Sequence, residues 1–128
     1  MQLLLDTQTF LWWLLGDIRL SRAARTAITD GRNGVFVSAA SSWEIATKHR
    51  IGRLPDAAPL LGKIAEHIAG QGFAALDVTV QHGERAGALP GPHRDPFDRM
   101  LAAQAQSARL TLVSNDRVFD AYGVARFW

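Results

Sequence analysis

The chain has 128 residues, of which 48% are hydrophobic and 20% are charged. This length fits one domain of ordinary size, and the composition is that of a folded globular protein rather than a disordered one. No cysteine is present, which excludes disulfide bonds and thiolate metal sites. The chain has four histidines, and none has the spacing typical of zinc sites. They are His49, His67, His82 and His93.

The net charge is only +2, but the basic residues are unevenly distributed. Between Arg19 and Arg53 there are seven basic residues and two acidic ones, and twelve of the fourteen cations are arginine. The planar guanidinium group suits phosphate, so this distribution is compatible with nucleic-acid binding. Solvent-exposed helix faces rich in arginine would produce the same distribution of charge.

The N-terminal stretch MQLLLDTQTFLWWLLGD is apolar but does not have the pattern of a signal peptide or membrane anchor. It lacks a basic leading region, and polar residues interrupt it at positions 6–9. Its longest apolar run, residues 10–15, is far too short to cross a bilayer. We therefore expect a cytoplasmic protein without a membrane partner.

The first elements in chain order are a short strand and two helices. The apolar run at 2–5 predicts a buried strand. Residues 7–15 predict a helix that is apolar nearly all round, as in a deeply buried or interface helix. A second helix is predicted over 21–30, with Ser21 as its N-cap and Gly31 as its stop.

The rest of the chain continues to alternate between strands and helices. The predicted elements are a strand at 34–38, a helix over SSWEIATKHRIG ended by Gly52, a helix over 56–69 ended by Gly70, a strand at 72–78, a short helix at 79–88, a Pro/Gly loop at 89–93, a helix over 96–107, a strand at 109–114, a helical turn at 116–121 and a strand at 124–128. This alternation predicts an α/β domain with a mostly parallel sheet covered on both faces. Functional sites in such sheets lie outside the carboxyl ends of the strands.

Four carboxylates fall at that edge of the predicted sheet. Asp6 directly follows the first strand, Asp116 lies just past the strand at 109–114, and Glu44 and Asp98 lie in the first turns of helices. Clustered carboxylates repel one another, so such a group usually needs a cation at neutral pH. With oxygen ligands and no cysteine or histidine, that cation should be Mg²⁺ or Mn²⁺, which activate water for phosphodiester displacement.

Each of these acids also has a purely structural interpretation. Asp6 and Asp116 could cap the helices that follow them. In SSWE, Ser41 as N-cap and Glu44 three residues later match a capping box. In DPFD, Asp95 would be the N-cap, proline the first helical residue, and Asp98 an acid facing the positive helix end. On spacing alone, a metal site and a set of helix caps remain equally open.

Four blocks of the sequence, in order and at these spacings, resemble one known family. The chain is similar from end to end to PIN-domain proteins, in particular to the VapC-like toxin ribonucleases of toxin–antitoxin modules. LLLDTQTFLWWL resembles the block with the first aspartate, Asp6, and VSAASSWEIATKHRIGRL the block with the glutamate, Glu44. LPGPHRDPFDRMLAAQA resembles the third block, where Asp98 heads the helix, and LTLVSND the fourth, with Asp116.

The resemblance implies a single PIN domain over 1–128, with a three-layer α/β/α fold and a mostly parallel central sheet. It also implies a Mg²⁺- or Mn²⁺-dependent ribonuclease toxin, a homodimer, and neutralisation by a cognate antitoxin. By this resemblance Asp6 and Asp98 are the main metal ligands. Asp116 and Glu44 complete the acidic pocket, where they orient metal-activated water or bind a second ion.

The resemblance has two departures. The subgroup often has histidine two residues after the first aspartate, where this chain has Gln8. Asp95 is a second acid close to Asp98, and by register against the helix it is the N-cap and a secondary candidate for the site.

Several charged side chains near the site have two interpretations each. Lys48, four residues after Glu44, could form an ordinary helix ion pair or stand at the pocket edge, contacting phosphate. Arg99 and Arg117 could guide the RNA backbone, and His93 could donate to a phosphate or be a bystander. For the aromatic residues, we expect either Trp12 or Trp13 in the core and the other in an interface, with base stacking as the alternative. Three others are predicted to be core residues, namely Trp43, Phe97 and Trp128.

Two other functions remain as alternatives. A receiver-like phosphoacceptor domain would need an acidic pair after the first strand and a lysine after the last, and the sequence has neither: the last lysine is Lys63. A non-catalytic PIN-like protein that binds RNA or a partner is disfavoured because all four carboxylates are present. Dinucleotide and P-loop enzymes are excluded by the lack of a glycine-rich signature.

Overall fold

The structure is a computed structural model that describes residues 1–128. Its strands are β1 (Gln2–Leu5), β2 (Gly34–Ser38), β3 (Ala74–Leu76), β4 (Thr111–Val113) and β5 (Arg126–Phe127). Its helices are α1 (Thr7–Leu15), α2 (Arg22–Thr29), α3 (Ala39–Arg50), α4 (Ile64–Gly70), α5 (Val80–Ala88) and α6 (Pro96–Ala108), with 3₁₀ segments at Pro55–Leu60 and Arg117–Tyr122. None of the helices is long and apolar enough to span a membrane.

All five strands are parallel and form one sheet in the order β3-β2-β1-β4-β5. The central strand β1 pairs with β2 on one side and β4 on the other, so Leu5 lies opposite both Val37 and Val113. The backbone N–H of Asp6 continues the ladder by donating to the Val113 carbonyl at 3.1 Å. The segments that follow β1, β2 and β4 therefore leave the sheet at the same edge.

Helices cover both faces of the sheet, which confirms the predicted α/β fold with flanking helix layers. Successive side chains of a strand point to opposite faces. Accordingly, Leu3 and Leu5 lie in one apolar cluster with Phe10 of α1, whereas Leu4 lies in a second cluster with Leu101 of α6. All five of these side chains are almost fully buried.

The helix predicted over 56–69 is wrong, because the chain breaks there into a 3₁₀ segment and α4. Pro59 lies inside the 3₁₀ segment and has no N–H to donate. Gly62 then takes φ +78°, in the left-handed region that ends a helix. The strands predicted at 72–78, 109–114 and 124–128 are present but shorter than predicted.

Two predictions about α3 are also wrong. Its N-cap is Ser38, whose hydroxyl accepts from the Ala40 N–H at 3.0 Å, so Ser41 lies inside the helix and caps nothing. Ser41 is buried and instead accepts a hydrogen bond from the Thr7 hydroxyl at 2.9 Å, joining α3 to α1. Trp43 is not a core residue: 59% of it is exposed.

Candidate active site

A cavity of about 290 Å³ opens at the carboxyl edge of the sheet. Five carboxylates and one cation line it: Asp6, Glu44, Asp95, Asp98, Asp116 and Lys48. The other lining residues are Thr7, Gln8, Leu11, Leu54, Asn115 and Phe119. The structure thus brings together the four acids singled out in the sequence, together with both secondary candidates. Their roles are not defined by proximity alone.

Asp6 is a buried acid at the junction of β1 and α1. It is the N-cap of α1, and its Oδ1 accepts from the Thr9 N–H at 2.7 Å. Burial raises the pKa of the Asp6 carboxyl, and the charge of Glu44 raises it further. Hydrogen bonds from Ser114 and Thr9 act against that rise. The site therefore holds this carboxylate at an electrostatic cost that a bound cation would relieve.

Glu44 projects from the second turn of α3 and is only 5% exposed. Its Oε2 forms an ion pair with the ammonium of Lys48, one turn further along the helix. The Lys48 side chain is 37% exposed, so the pair spans from the buried wall of the pocket to solvent. Both interpretations of Lys48, the helix ion pair and the pocket edge, apply at once.

Asp98 lies at the third position of α6, where the helix dipole favours an anion. Its Oδ2 is 2.9 Å from Nε2 of His93, which reaches in from the Pro/Gly loop. Burial, followed by the charges of Asp95 and Glu44, raises the pKa of Asp98 from 3.8 to about 6, while the hydrogen bond from His93 lowers it. Asp98 and Glu44 therefore interact electrostatically across the pocket.

Asp95 and Asp116 are both N-caps. The Oδ1 of Asp95 accepts from the N–H groups of Phe97 and Asp98, at 2.9 and 3.1 Å. The Oδ1 of Asp116 accepts from the Val118 N–H at 3.0 Å, at the start of the second 3₁₀ segment. In each case the hydrogen bonds found are to Oδ1, so Oδ2 is available to the pocket. The helix-cap interpretation is correct for both residues and does not exclude a role in the site.

The donor set fits a hard divalent cation. It consists of carboxylate oxygens, the ligands that Mg²⁺ and Mn²⁺ prefer, and the five acids outnumber the single lysine. In the present side-chain positions, no three Asp, Glu or His side chains converge closely enough to hold one ion. Glu44 and Asp98 have Lys48 and His93 as partners instead.

Arg99 does not face the pocket as a guide for RNA. Its guanidinium donates to the backbone carbonyls of Ala86, Gly87, Leu89 and His93. Arg99 thus fastens the end of α5 and the Pro/Gly loop to α6, and the loop in turn presents His93 to the site. Sequence reasoning missed this role because the four acceptors are main-chain atoms.

Asn115 and Phe119 also line the pocket without having been singled out. Asn115 lies two residues past the end of β4, so the strand-end rule that found Asp116 could have found it too. Trp12 is buried and packs against Trp128, with ring centroids 5.8 Å apart, whereas Trp13 is half-buried against Phe73. Trp12 is therefore the core member of the pair.

A model of the family described as PIN domain matches residues 3–125. The chain belongs to the PIN domain family. Among curated proteins, this PIN domain is similar to Ribonuclease VapC16 of Mycobacterium tuberculosis, with 36% identity over 58 residues. That match covers 45% of this chain, and the chain spans only 41% of the relative's length.

Solved structures share the fold of this PIN domain. A chain in the crystal structure of VapBC2 from Rickettsia felis, bound to a promoter DNA fragment, superposes with a TM-score of 0.71 and 14% identity, covering 100% of this chain and 99% of that one. VapC20 of Mycobacterium tuberculosis, a sarcin-ricin loop cleaving toxin, gives a TM-score of 0.65 and 18% identity, covering 96% of each chain. At these identities the likeness shows the fold alone.

Proposed function

We propose that this PIN domain is a Mg²⁺- or Mn²⁺-dependent endoribonuclease and the toxin of a toxin–antitoxin pair. The observation on which this depends most is the pocket itself, where carboxylates from four separate segments line one cavity at the carboxyl edge of the sheet. The partial similarity to a curated VapC ribonuclease supports the activity. The receiver-like alternative is set aside, because the chain is a PIN domain.

In this proposal the acids of the pocket have different roles. Asp6, Asp98 and Asp116 would hold the cation, and Glu44 would complete the acidic wall of the pocket. When bound, the divalent ion would neutralise charge and activate water for attack on a phosphodiester. The motifs contain no protein nucleophile, so water is the attacking group.

The protein's own groups would position the substrate around that centre. Lys48 is the one cation lining the pocket, and its partly exposed ammonium can contact a phosphate while balancing Glu44. Asp6 is fixed by the Thr9 N–H, and Asp98 extends from a helix end fixed by Asp95. These rigid attachments would hold the ligands in place before substrate binds.

We also propose that the chain acts in the cytoplasm as a homodimer and is neutralised by a cognate antitoxin. The fold it shares with chains in VapBC and FitAB crystal structures supports an antitoxin partner. The dimer rests on the family resemblance alone. Light scattering of the purified chain, with and without a co-expressed neighbouring protein, tests both partners.

The activity is tested on purified protein with RNA, Mg²⁺ or Mn²⁺, and mapping of the cleaved ends. We expect cleavage that EDTA abolishes and that Asp98→Asn removes. Cleavage that persists in EDTA would contradict the metal-dependent mechanism. Retained RNA binding without cleavage under any metal would favour the non-catalytic binding module.

A further inference from the structure

Beside the acidic pocket lies an exposed aromatic residue that the proposed chemistry does not use. Trp43 directly precedes Glu44 on α3, and its side chain contacts Phe97, which directly precedes Asp98 on α6. The two ring centroids are 4.6 Å apart with an interplanar angle of 71°. The aromatic pair thus lies one residue away, on both helices, from two acids of the pocket.

The burial of the two rings is very unequal. Phe97 is 9% exposed and Trp43 is 59% exposed, so the indole packs against a buried ring while more than half of Trp43 remains in solvent. An edge-to-face contact of this kind leaves at least one face of the indole uncovered. The exposed indole therefore offers a large aromatic surface that a partner could cover.

The neighbours of Trp43 on its own helix leave the indole accessible. Residues three and four positions away share its face of the helix, and these include Ala39, Ala46 and Thr47. All three are short, and both alanines are exposed. Two turns further along the same face lies Arg50, which is also exposed. Glu44 is the only acid of α3, and it points into the pocket.

An open aromatic face with a cation on the same side of the helix, and no acid on that side, suits single-stranded nucleic acid. Bases stack on the ring whatever their identity, and the cation contacts the backbone. A base in a duplex has its own stacking neighbours and cannot occupy the indole unless it is unpaired. Stacking here would therefore select for unpaired nucleotides next to the cleaved bond.

We propose that Trp43 is a specificity-determining residue that stacks an unpaired RNA base adjacent to the scissile phosphate. The inference rests on the proposed ribonuclease function and deepens it by naming a residue outside the acidic pocket that contacts the substrate. Arg50 would contact the phosphate backbone beyond the stacked base. Trp43 touches the substrate and takes no part in the chemical step.

The test compares Trp43→Ala and Trp43→Phe with the wild type on a single-stranded RNA oligonucleotide in Mg²⁺. Loss of one base–aromatic stack corresponds to a rise in KM of roughly five- to 150-fold for Trp43→Ala. We expect little change in kcat, and recovery of most of the affinity in Trp43→Phe, which keeps a ring on Phe97. Ile18→Ala, at a residue 96% exposed and outside the pocket lining, is the matched control and should leave KM unchanged.

A second experiment alters the RNA instead of the protein. An abasic nucleotide is placed in turn at each position flanking the cleavage site. At one position it should raise KM for the wild type and have no further effect in Trp43→Ala, because both changes remove the same contact. Additive effects at every position would overturn the proposal. So would a Trp43→Ala protein whose oligomeric mass changes while KM does not, which would make Trp43 an interface residue.

The two proposals can fail separately. Binding of the same oligonucleotides is measured in the Asp98→Asn background, where cleavage is not required. Cleavage that is indifferent to Trp43 overturns the stacking inference and leaves the ribonuclease proposal standing. If the wild-type chain cleaves no RNA but binds it, and the binding is lost in Trp43→Ala, only the ribonuclease proposal is overturned.

Discussion

The side chain of Asp95 accepts a hydrogen bond from the backbone N–H of Asp98, at 3.1 Å. One aspartate of the DPFD motif therefore builds the helix end from which the other projects into the pocket. Asp98 is held by a rigid N-terminal turn. Asp95 caps the helix, so the side chain of Asp98 is not needed as a cap. Capping and chemistry are combined within four residues.

This division predicts opposite results for two chemically identical substitutions. Asn caps helices as well as Asp does, so Asp95→Asn should keep both the stability and the RNA cleavage of the wild type. Asp98→Asn should lower kcat/KM by about 100-fold or more, because it removes the charge of a proposed metal ligand. Asp95→Ala, which removes the cap, should lower the free energy of unfolding by about 1 kcal/mol. Loss of cleavage in Asp95→Asn would instead place Asp95 among the ligands.

The raised pKa of Asp98 predicts a pH dependence of stability in the metal-free protein. The fold favours the protonated carboxyl, with a pKa of about 6 against 3.8 for the unfolded chain. The stabilisation that protonated Asp98 gives to the folded state is therefore complete below about pH 3.8 and is lost as pH rises through about 6. Asp98→Asn removes this titration. We compare the free energies of unfolding of the two proteins in EDTA. The value for the wild type minus the value for Asp98→Asn should fall by on the order of 1–3 kcal/mol between pH 4 and pH 8.

Urea denaturation at a series of pH values measures this difference, and subtraction cancels the carboxylates that do not interact with Asp98. Parallel pH profiles for wild type and Asp98→Asn would contradict the prediction. Addition of Mg²⁺ should reduce the difference at high pH, because a bound cation stabilises the ionised form.

The Glu44–Lys48 pair predicts a large coupling between two residues one helical turn apart. Lys48→Met leaves a carboxylate that is only 5% exposed without its cation. We expect a loss of about 1–2 kcal/mol, below the value for a fully buried pair, because the lysine is partly solvated. The double variant Glu44→Gln/Lys48→Met should recover most of that loss. The single variant Glu44→Gln completes the cycle, with all losses measured by urea denaturation. A loss in the double variant equal to the sum of the two single losses would show that the pair is not coupled.

Arg99 and Arg117 each follow an aspartate of the pocket but should behave differently. Arg99 donates to four backbone carbonyls, so Arg99→Ala should destabilise the protein by about 2 kcal/mol. Arg117 is exposed and forms no hydrogen bond through its side chain, so Arg117→Ala should leave stability within about 0.5 kcal/mol. If Arg117 contacts the RNA backbone, its loss should weaken RNA binding most at low salt. Thermal unfolding and RNA titrations at two salt concentrations separate the two effects.

The sequence predicted the position of the site because the site follows from topology. Parallel strands end at one edge of the sheet, and two of the four acids lie within three residues of a strand end. Placing these two acids at that edge does not require knowing how any side chain packs. The convergence of Asp6 and Asp116 in one pocket could therefore be predicted from the end points of β1 and β4 alone.

Features decided by packing were not predictable in the same way. The segment SAASS offers several serines as N-caps, and only the position of β2 selects Ser38. The exposure of Trp43 depends on where α6 lies against α3, which a single sequence does not state. The break at Gly62 is different: Pro59 and Gly62 are both helix-breaking residues, so the signal was present and the apolar periodicity outweighed it.

The central place of β1 between β2 and β4 has a consequence for when the protein can act. Leu5 must pair with Val37 and with Val113 before Asp6 can face Asp116, so the pocket depends on contacts spanning most of the chain. Closing such distant contacts is slow, and partial structures do not contain the pocket. On the proposed ribonuclease function, a newly made chain therefore gains its activity only when its sheet is complete.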